Sequence, residues 1–439
     1  MNILMHTPDL AAMATLKVAM LRRKRSLPSL ALRASVVILC LALVLITSAS
    51  AQVAVRGQTV YTMSGPPITD GIVVVESGKI SAIGRADQIR VPEGFRQLTA
   101  AVVTPGLVDS HATVGLTGIL NIPHDQDQLD SATPLQPELR AVDAYNPREE
   151  LLEWVRSFGV TTVHTGHAPG ELLSGQTMVV KTLGNTVAEA LLVDTKAVAC
   201  TLGTSAEKPA ASPGTRGKMM AMLRAELIKA QEYQAKHERA AKATGDAAAT
   251  PPARELRMET LVRVLKGELP LLITVHKAQD IATALRLGDE FKLKIWLDGA
   301  AEAYLLIDEI KAAGVPVIIH PTMERAYEET ENLSFATAGK LAAAGIPITL
   351  QSGFEAYVPK VRVVLFEAAL AAAHGLPKEK ALAAMTIDAA TLLGVADRVG
   401  SLEVGKDGDL ALYDGDPLEY TTHCTGVVIN GRVVSETIR

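Results

Sequence analysis

The 439-residue chain contains few aromatic residues, few cysteines and no excess of positive charge. Aromatic residues make up only 4% of it and alanine is plentiful, which favours a helix-rich α/β fold over an all-β fold. The three cysteines, Cys40, Cys200 and Cys424, lie far apart, which excludes a zinc ribbon and a disulfide framework. The formal net charge of −5 argues against a nucleic-acid partner, because binding phosphates needs a basic face.

The first 51 residues have the pattern of a secretory signal peptide. A basic stretch at 22–25 precedes an apolar run at 34–46, and Ala49-Ser50-Ala51 is a small-residue cleavage motif. The apolar run is shorter than the roughly 20 residues that a membrane-spanning helix needs. The sequence therefore predicts export to the periplasm or the extracellular space after cleavage. The alternative is a membrane anchor formed by residues 34–46.

Short β-rich runs lie near both ends of the remaining chain. They are bounded by Gly, Pro and Asp and occupy residues 53–57, 71–76, 79–84, 409–413 and 426–434. Asn430-Gly431, between two β-branched runs, is a hairpin signal. We expect residues 52–103 and 396–439 to form one small β-sandwich.

Strand and helix patterns alternate between these ends. Strands are predicted at 159–164, 271–276, 294–298, 315–320 and 346–352, and helices at 278–291 and 302–313. Such alternation is typical of a parallel sheet or barrel. An insertion at 204–268, rich in Ala, Lys and Glu, interrupts it. In this insertion we expect a long exposed helix at 218–241 and a flexible link at 246–253.

The stretch at 102–116 places polar residues along a buried strand. Pro105-Gly106 breaks an apolar run, and a second apolar strand follows. Residues two apart on a strand share a face, so Asp109, His111 and Thr113 should point to one side. Buried polar groups need partners or a ligand, so this strand predicts a functional site.

The Pro-Gly-apolar-apolar-Asp-x-His run resembles the first strand of the amidohydrolase superfamily, and the chain is most similar to its imidazolonepropionase-like branch. The C-terminal run at 386–410 resembles the family still more closely, with Gly408 in place of an alanine. The resemblance implies an α/β fold, a (β/α)8 TIM barrel over residues 104–395, with the flanking β-sandwich. It also implies hydrolysis of C–N bonds other than peptide bonds by metal-activated water.

The resemblance assigns metal-ligand positions one residue at a time. His111 matches the first histidine of the family's His-x-His pair, and Thr113 occupies the position of the second. His276 matches the histidine of the fifth strand, and Asp298 occupies the histidine position of the next strand. The last strand carries Ser352 where the family has a carboxylate.

Two further residues are candidate ligands. Lys181 matches a lysine found in related proteins, and His320 lies at a strand end where it could join a rebuilt site. Two imidazoles and one carboxylate can hold a single zinc-like ion. The hypothesis is therefore at most one divalent metal per chain, held by His111, His276 and Asp298, and the alternative is none. The sequence assigns no catalytic residue.

Two functions from different classes stay open. The first is an active but divergent amidohydrolase acting on a small molecule. The second is a non-catalytic pseudo-hydrolase that serves as a binding or partner subunit, beside a second copy of the chain or a catalytically complete paralogue. Imidazole is a common ligand but not a diagnostic one, so hydrogen-bonded histidines are the alternative interpretation, above all for His164, His167 and His320.

Overall fold

The computed structural model describes residues 52–120, 122–208, 211–242, 252–320, 326–353 and 363–439. Within these ranges no helix is both long enough and apolar enough to cross a membrane. The predicted signal peptide at 1–51 and its apolar run at 34–46 lie outside the described residues. Export and membrane anchoring therefore stay predictions.

The described chain begins with four strands of one sheet. β1 pairs antiparallel with β2 and parallel with β4, and β2 pairs antiparallel with β3. Valines dominate the buried positions, because β-branched side chains fit a pleated surface packed on a core. The strands are β1 (Val53–Val60), β2 (Ile68–Glu76), β3 (Lys79–Arg85) and β4 (Arg96–Pro105).

A second, four-stranded sheet carries the Asp-x-His motif. The chain enters it through Gly106, where a Cβ atom would lie 2.2 Å from Thr161 Oγ1 and only glycine fits. The sheet order is β5-β6-β8-β9. The elements of this part are β5 (Leu107–Ala112), α1 (Ala141–Ala144), α2 (Glu150–Arg156), β6 (Val160–Thr165), β7 (Gly175–Gln176), β8 (Met178–Lys181), α3 (Val187–Ala190) and β9 (Leu191–Val193).

Five parallel strands form most of a third sheet, whose order is β14-β13-β12-β11-β10-β7. Helices separate most of these strands, as parallel neighbours require. The elements are β10 (Val198–Thr201), α4 (Arg216–Lys242), α5 (Leu256–Leu265), β11 (Leu271–Val275), α6 (Ala278–Phe291), β12 (Ile295–Gly299), α7 (Ile307–Ala313), β13 (Val317–Ile319), α8 (Thr337–Ala343) and β14 (Ile348–Leu350).

The backbone connects the second and third sheets at two places. The chain passes from β7 to β8 across Thr177, and Ala112 of β5 forms a parallel bridge with Gly353 beyond β14. However, β7 and β8 run antiparallel to their neighbours β10 and β6, whereas a (β/α)8 barrel has parallel strands throughout. The cause is local, because residues 166–174 connect β6 to β7 without a helix. The mixed α/β fold is confirmed, and the closed barrel remains a prediction.

A layer of apolar side chains lies directly below the candidate site residues, toward the amino ends of the parallel strands. One buried side chain from each of five strands joins a cluster that also contains Ala389 and Ala390. Residues two further along a strand share the same face, so the next layer should include Thr274, Asp298 and His320. The five apolar side chains are Val108, Val179, Leu272, Trp296 and Ile318.

The chain end returns to the first sheet. β15 pairs antiparallel with β4, and the complete order is β17-β16-β15-β4-β1-β2-β3. Both ends of the described chain thus share one seven-stranded sheet, while its arrangement as a sandwich stays a prediction. The elements are α9 (Val364–Ala373), α10 (Lys378–Ala384), α11 (Ile387–Leu392), β15 (Leu410–Tyr413), β16 (Cys424–Ile429) and β17 (Arg432–Ser435).

The insertion at 204–268 contains α4 and α5, which pack against each other. The predicted exposed helix is α4, but its first half is buried in the main core through Met219, Leu223 and Leu227. These residues recur every four positions and form an apolar stripe on one face of the helix, which packs against the core. The expectation of a fully exposed helix was wrong for this half. Residues 246–251 of the predicted link lie outside the described residues.

Candidate functional site

Residues at the carboxyl ends of five strands line a cavity of about 50 Å³. Such a volume has room for an ion or for a few water molecules. A larger apolar cavity, of about 750 Å³, lies between α9 and residues 417–424 and includes none of the predicted site residues. The lining of the small cavity comprises His111, Ala112, Thr113, Pro169, Thr274, His276, Asp298, Gly299, His320, Gln351 and Gly353.

A β-bulge in β5 shapes one side of this cavity. The pairing register with β6 shifts between Asp109 and Ala112, which breaks the alternation of side chains. His111, Ala112 and Thr113 all line the cavity, and Asp109 does not. The prediction that Asp109 shares a face with His111 and Thr113 was therefore wrong, because the bulge inserts an extra residue.

His111 and Asp298 form a buried pair. His111 Nδ1 lies 3.0 Å from Asp298 Oδ1, and both side chains are almost fully buried. Gln351 Nε2 donates to the same oxygen at 2.7 Å, and Thr274 Oγ1 donates to Oδ2 at 2.6 Å. Burial disfavours both charged groups, but their attraction outweighs it, so the pKa of His111 is raised and the pKa of Asp298 is lowered.

Two more imidazoles lie at this cavity, each against a glycine. A Cβ at Gly299 would lie 2.6 Å from His276 Cε1, and one at Gly353 would lie 2.6 Å from the His320 ring. Both glycines have positive φ, 76° and 70°, so the backbone and the ring contacts both favour glycine there.

Two buried ring nitrogens of this group have no hydrogen-bond partner within the described ranges, His111 Nε2 and His276 Nδ1. Burial is the main cause that lowers the pKa of His276, so this ring is neutral at neutral pH and one of its nitrogens keeps a lone pair. Unpaired imidazole nitrogens in one small cavity are suited to bind a ligand.

Asp109 joins β5 to the residues after β14. Its Oδ1 accepts from the backbone amides of His111 at 3.2 Å and Ser352 at 3.1 Å, and its Oδ2 accepts from Ser352 Oγ at 2.5 Å. Burial raises the pKa of Asp109 to about 6. Ser352, at the position where the family has a carboxylate, thus bonds to Asp109 and is not part of the cavity lining. Thr113 accepts from Thr117 Oγ1 at 2.9 Å.

Lys181 lies away from the cavity. Because β8 is antiparallel, its last residue pairs with Thr162, near the start of β6. Lys181 Nζ lies 2.7 Å from Asp407 Oδ2 and 2.9 Å from Asp409 Oδ2, and it also donates to Asn430. The structure therefore brings Lys181 together with the seven-stranded sheet and not with His111.

The remaining candidates also lie outside the cavity lining. His164 uses both ring nitrogens, 2.6 Å from the Ser110 carbonyl and 2.6 Å from Thr177 Oγ1, and burial lowers its pKa to about 3. Burial likewise lowers the pKa of His167 to about 4. A further carboxylate that could compensate for the lost ligands, Glu355 after the last predicted strand, lies outside the described residues.

Thr274 and Gln351 were missed as site residues by the sequence reasoning. Thr274 had a usable signal, because it lies two residues before His276 and shares its face. Gln351 had none, since the resemblance directed attention to its neighbour Ser352. Among the residues that the structure describes, no three His, Cys, Asp or Glu side chains are arranged as around a metal ion.

Known proteins resemble both the sequence and the fold. A sequence profile of the Amidohydrolase family matches residues 367–435. The amidohydrolase tasK of Hapsidospora irregularis is 24% identical over 79% of this chain, which spans only 38% of that protein. An imidazolonepropionase of Fusobacterium nucleatum is 22% identical over 83% of this chain and 91% of its own.

A solved structure agrees with these sequence matches. The amidohydrolase from Thermotoga maritima has a TM-score of 0.82 and 26% identity, over 88% of this chain and 100% of its own. The profile match contains the C-terminal run at 386–410 that resembles the family, and the structural match covers 88% of this chain. The chain belongs to the amidohydrolase superfamily.

Proposed function

We propose that this protein is an exported hydrolase of the imidazolonepropionase-like branch, acting on a non-peptide C–N bond of a small molecule at a divergent site. The observation that carries the proposal is the group of His111, His276 and His320 around one cavity at the carboxyl ends of the strands. Barrel enzymes have their active sites at this end. The imidazolonepropionase relative supports the choice of branch.

The donor atoms present fit at most one metal ion. The unpartnered nitrogens of His111 and His276 are good ligands for a zinc-like ion, and these two residues would hold it. Thr113 and Ser352 occupy two further ligand positions of the family, and both are hydrogen-bonded elsewhere. A bound divalent ion would lower the pKa of a water molecule so that hydroxide is available near neutral pH.

Among the residues that the structure describes, the cavity lining holds no second carboxylate in place of the base that the family uses. In the described lining the sole carboxylate is Asp298, and both of its oxygens already accept hydrogen bonds. Losing a general base typically costs about 10²–10⁴-fold in rate. We therefore expect low turnover on simple amides and cyclic imides.

A non-catalytic pseudo-hydrolase is the second candidate function. It is favoured by the finding that no three ligating side chains surround a common point in the described residues. Such a protein would use the same cavity to bind a small molecule, or would assemble with a second copy or a paralogue.

Metal analysis of the purified protein separates the two candidates. The protein used is the chain that starts at Gln52. The hydrolase requires one weakly held ion per chain, the upper limit that the donor atoms allow, whereas the pseudo-hydrolase requires none. His111→Ala and His276→Ala should each abolish both the ion and any activity. His423→Ala is the matched control, because His423 is exposed and pairs only with Asp414.

Restoring the family's ligands gives a second test of the same site. Thr113→His combined with Ser352→Asp should strengthen metal binding if the cavity is still shaped for an ion. Two tightly bound ions in the natural protein, or full turnover in His111→Ala, would contradict the proposed site.

Export is tested separately. N-terminal sequencing of the protein made in its own host should start near Gln52, after the Ala49-Ser50-Ala51 motif. A cytoplasmic protein that retains residues 34–46 would contradict it.

A further inference from the structure

We propose that Asp298 is a positioning residue that fixes the tautomer of His111, and that it is not itself a metal ligand. The inference rests on the proposed function only for the identity of the ion. Its physical basis is the set of hydrogen bonds around the carboxylate, which exists whether or not the protein is a hydrolase.

Three donors hold both oxygens of the Asp298 carboxylate. Oδ1 lies 3.0 Å from His111 Nδ1 and 2.7 Å from Gln351 Nε2, and Oδ2 lies 2.6 Å from Thr274 Oγ1. These donors belong to β5, to the residue after β14 and to β11. Turning the carboxylate toward an ion in the cavity would strain or break these bonds, and a donor left behind would be buried and unpaired.

The pair sets the chemical state of the imidazole. Because Asp298 is an acceptor, His111 must carry a proton on Nδ1 to bond to it. In the neutral ring this leaves the lone pair on Nε2, the buried nitrogen without a partner in the described residues. Metal-binding histidines usually donate their other N–H to a carboxylate, which fixes the tautomer and makes the ligand more basic.

Thr274 and Gln351 hold the carboxylate in turn. Gln351 Nε2 also lies 3.4 Å from the Ile318 carbonyl, so its amide orientation is set by two acceptors. With Thr274 on the other oxygen, the carboxylate plane is fixed from both sides. This explains why a residue at a histidine position of the family can be Asp without leaving an unpaired buried charge.

Nitrogen-15 NMR of the histidine side chains in the metal-free protein tests the inference directly, at a pH where His111 is neutral. We expect wild-type His111 to be protonated on Nδ1. In Asp298→Asn the charged acceptor is lost and the Nδ1–H population should fall, as replacing the carboxylate partner of a histidine by an amide typically disturbs the tautomer. Asp414→Asn is the control, because it alters the exposed pair with His423 and should leave His111 unchanged.

Cobalt(II) binding provides the second readout. Asp298→Asn and Thr274→Val should each weaken affinity about 10–100-fold, the usual effect of losing a group that orients a ligand. The ligand-field spectrum of the bound ion should keep its shape, because the set of atoms on the metal is unchanged. Thr274→Val is nearly isosteric and keeps the test valid should Asp298→Asn fail to fold.

The outcomes separate this inference from the proposed function. A protein that binds no metal and hydrolyses nothing, yet shows the Nδ1–H tautomer only while Asp298 is present, supports the positioning role and contradicts the hydrolase. Wild-type His111 protonated on Nε2, or a cobalt spectrum that changes coordination in Asp298→Asn, would overturn the positioning role.

Discussion

Two glycines determine where the cavity histidines lie. Gly299 and Gly353 both have positive φ, and each leaves the space that an imidazole ring occupies. The rings of His276 and His320 thus pack directly on the backbone of the neighbouring strand ends. A side chain at either glycine would displace a candidate ligand, in addition to straining the backbone.

Replacing Gly299 by Ala should therefore cost more than backbone strain alone. A matched control is Gly314→Ala, since Gly314 has a similar φ of 65° and nothing within 4 Å of its added Cβ. Both variants should lose about 1–2 kcal/mol from the left-handed conformation. Only Gly299→Ala should also weaken metal binding, by roughly tenfold or more. Stability is measured by urea unfolding and metal affinity by titration of the folded variants, and equal metal affinity in the two would contradict this account.

Four candidate ligands from the sequence reach one cavity, and their roles as ligands stay predictions. His111, His276, Asp298 and His320 all reach one cavity, as expected from strand ends of an α/β fold. The position of Asp298 between His111, Thr274 and Gln351 could not be predicted, because it depends on the relative heights of four strands. A sequence pattern predicts on which face of a sheet a side chain lies, but it does not predict the stagger between neighbouring strands.

At the scale of elements, one bulge and one reversed strand account for the main differences from the prediction. The bulge in β5 separates Asp109 from His111, and strict alternation would have kept them together. The reversal of β8 carries Lys181 to the opposite end from the cavity. Its signal was the connection at 166–174, which has no helical pattern, and a parallel return would require a crossover of about a dozen residues or more.

Helix α4 shows an apolar stripe that the composition of the insertion obscured. Leu227 is 4% exposed and its neighbour Ile228 is 47% exposed. Substitutions at these two adjacent residues therefore test which face of the helix packs against the core. Leu227→Ala should destabilise the protein by about 2–5 kcal/mol, the usual cost of an emptied core position. Ile228→Ala should change stability by less than about 1 kcal/mol. Equal shifts in chemical unfolding would show that α4 is not docked.

At the scale of the whole molecule, a buried ion cluster joins the two ends of the chain to the central strands. Lys181 contacts Asp407 and Asp409, and Asp407 also pairs with Lys79 and Arg398. Asp407 and Asp409 belong to the C-terminal run that resembles the family most closely. The resemblance identified that run as structural, and its partner Lys181 emerged only from the three-dimensional arrangement.

Removing the lysine should therefore loosen the attachment of the seven-stranded sheet. Lys181→Met leaves the buried Asp409 carboxylate without a cation, while Asp407 keeps Lys79 and Arg398. Leaving one buried charge unpaired in this way typically costs about 3–5 kcal/mol. Lys378→Met is the control, because Lys378 pairs with Asp416 and Glu419 at the surface, where screening makes such pairs weak. Thermal unfolding should show a large loss for the first variant and little change for the second. A wild-type midpoint for Lys181→Met would show that the cluster contributes nothing net.

The bridge between Ala112 and Gly353 has a consequence for access to the cavity. In the described residues, β5 pairs with the chain beyond β14 through this isolated bridge. The Asp109 carboxylate adds two hydrogen bonds, which it accepts from the backbone amide and the hydroxyl of Ser352. Segments with few backbone hydrogen bonds open first in local fluctuations. The amides of Ser352 and Gly353 should thus exchange with deuterium faster than those in the middle of β11 and β12. We expect each such opening to uncover His111 from the side, which would let a small molecule enter between two strands while the rest of the fold stays intact.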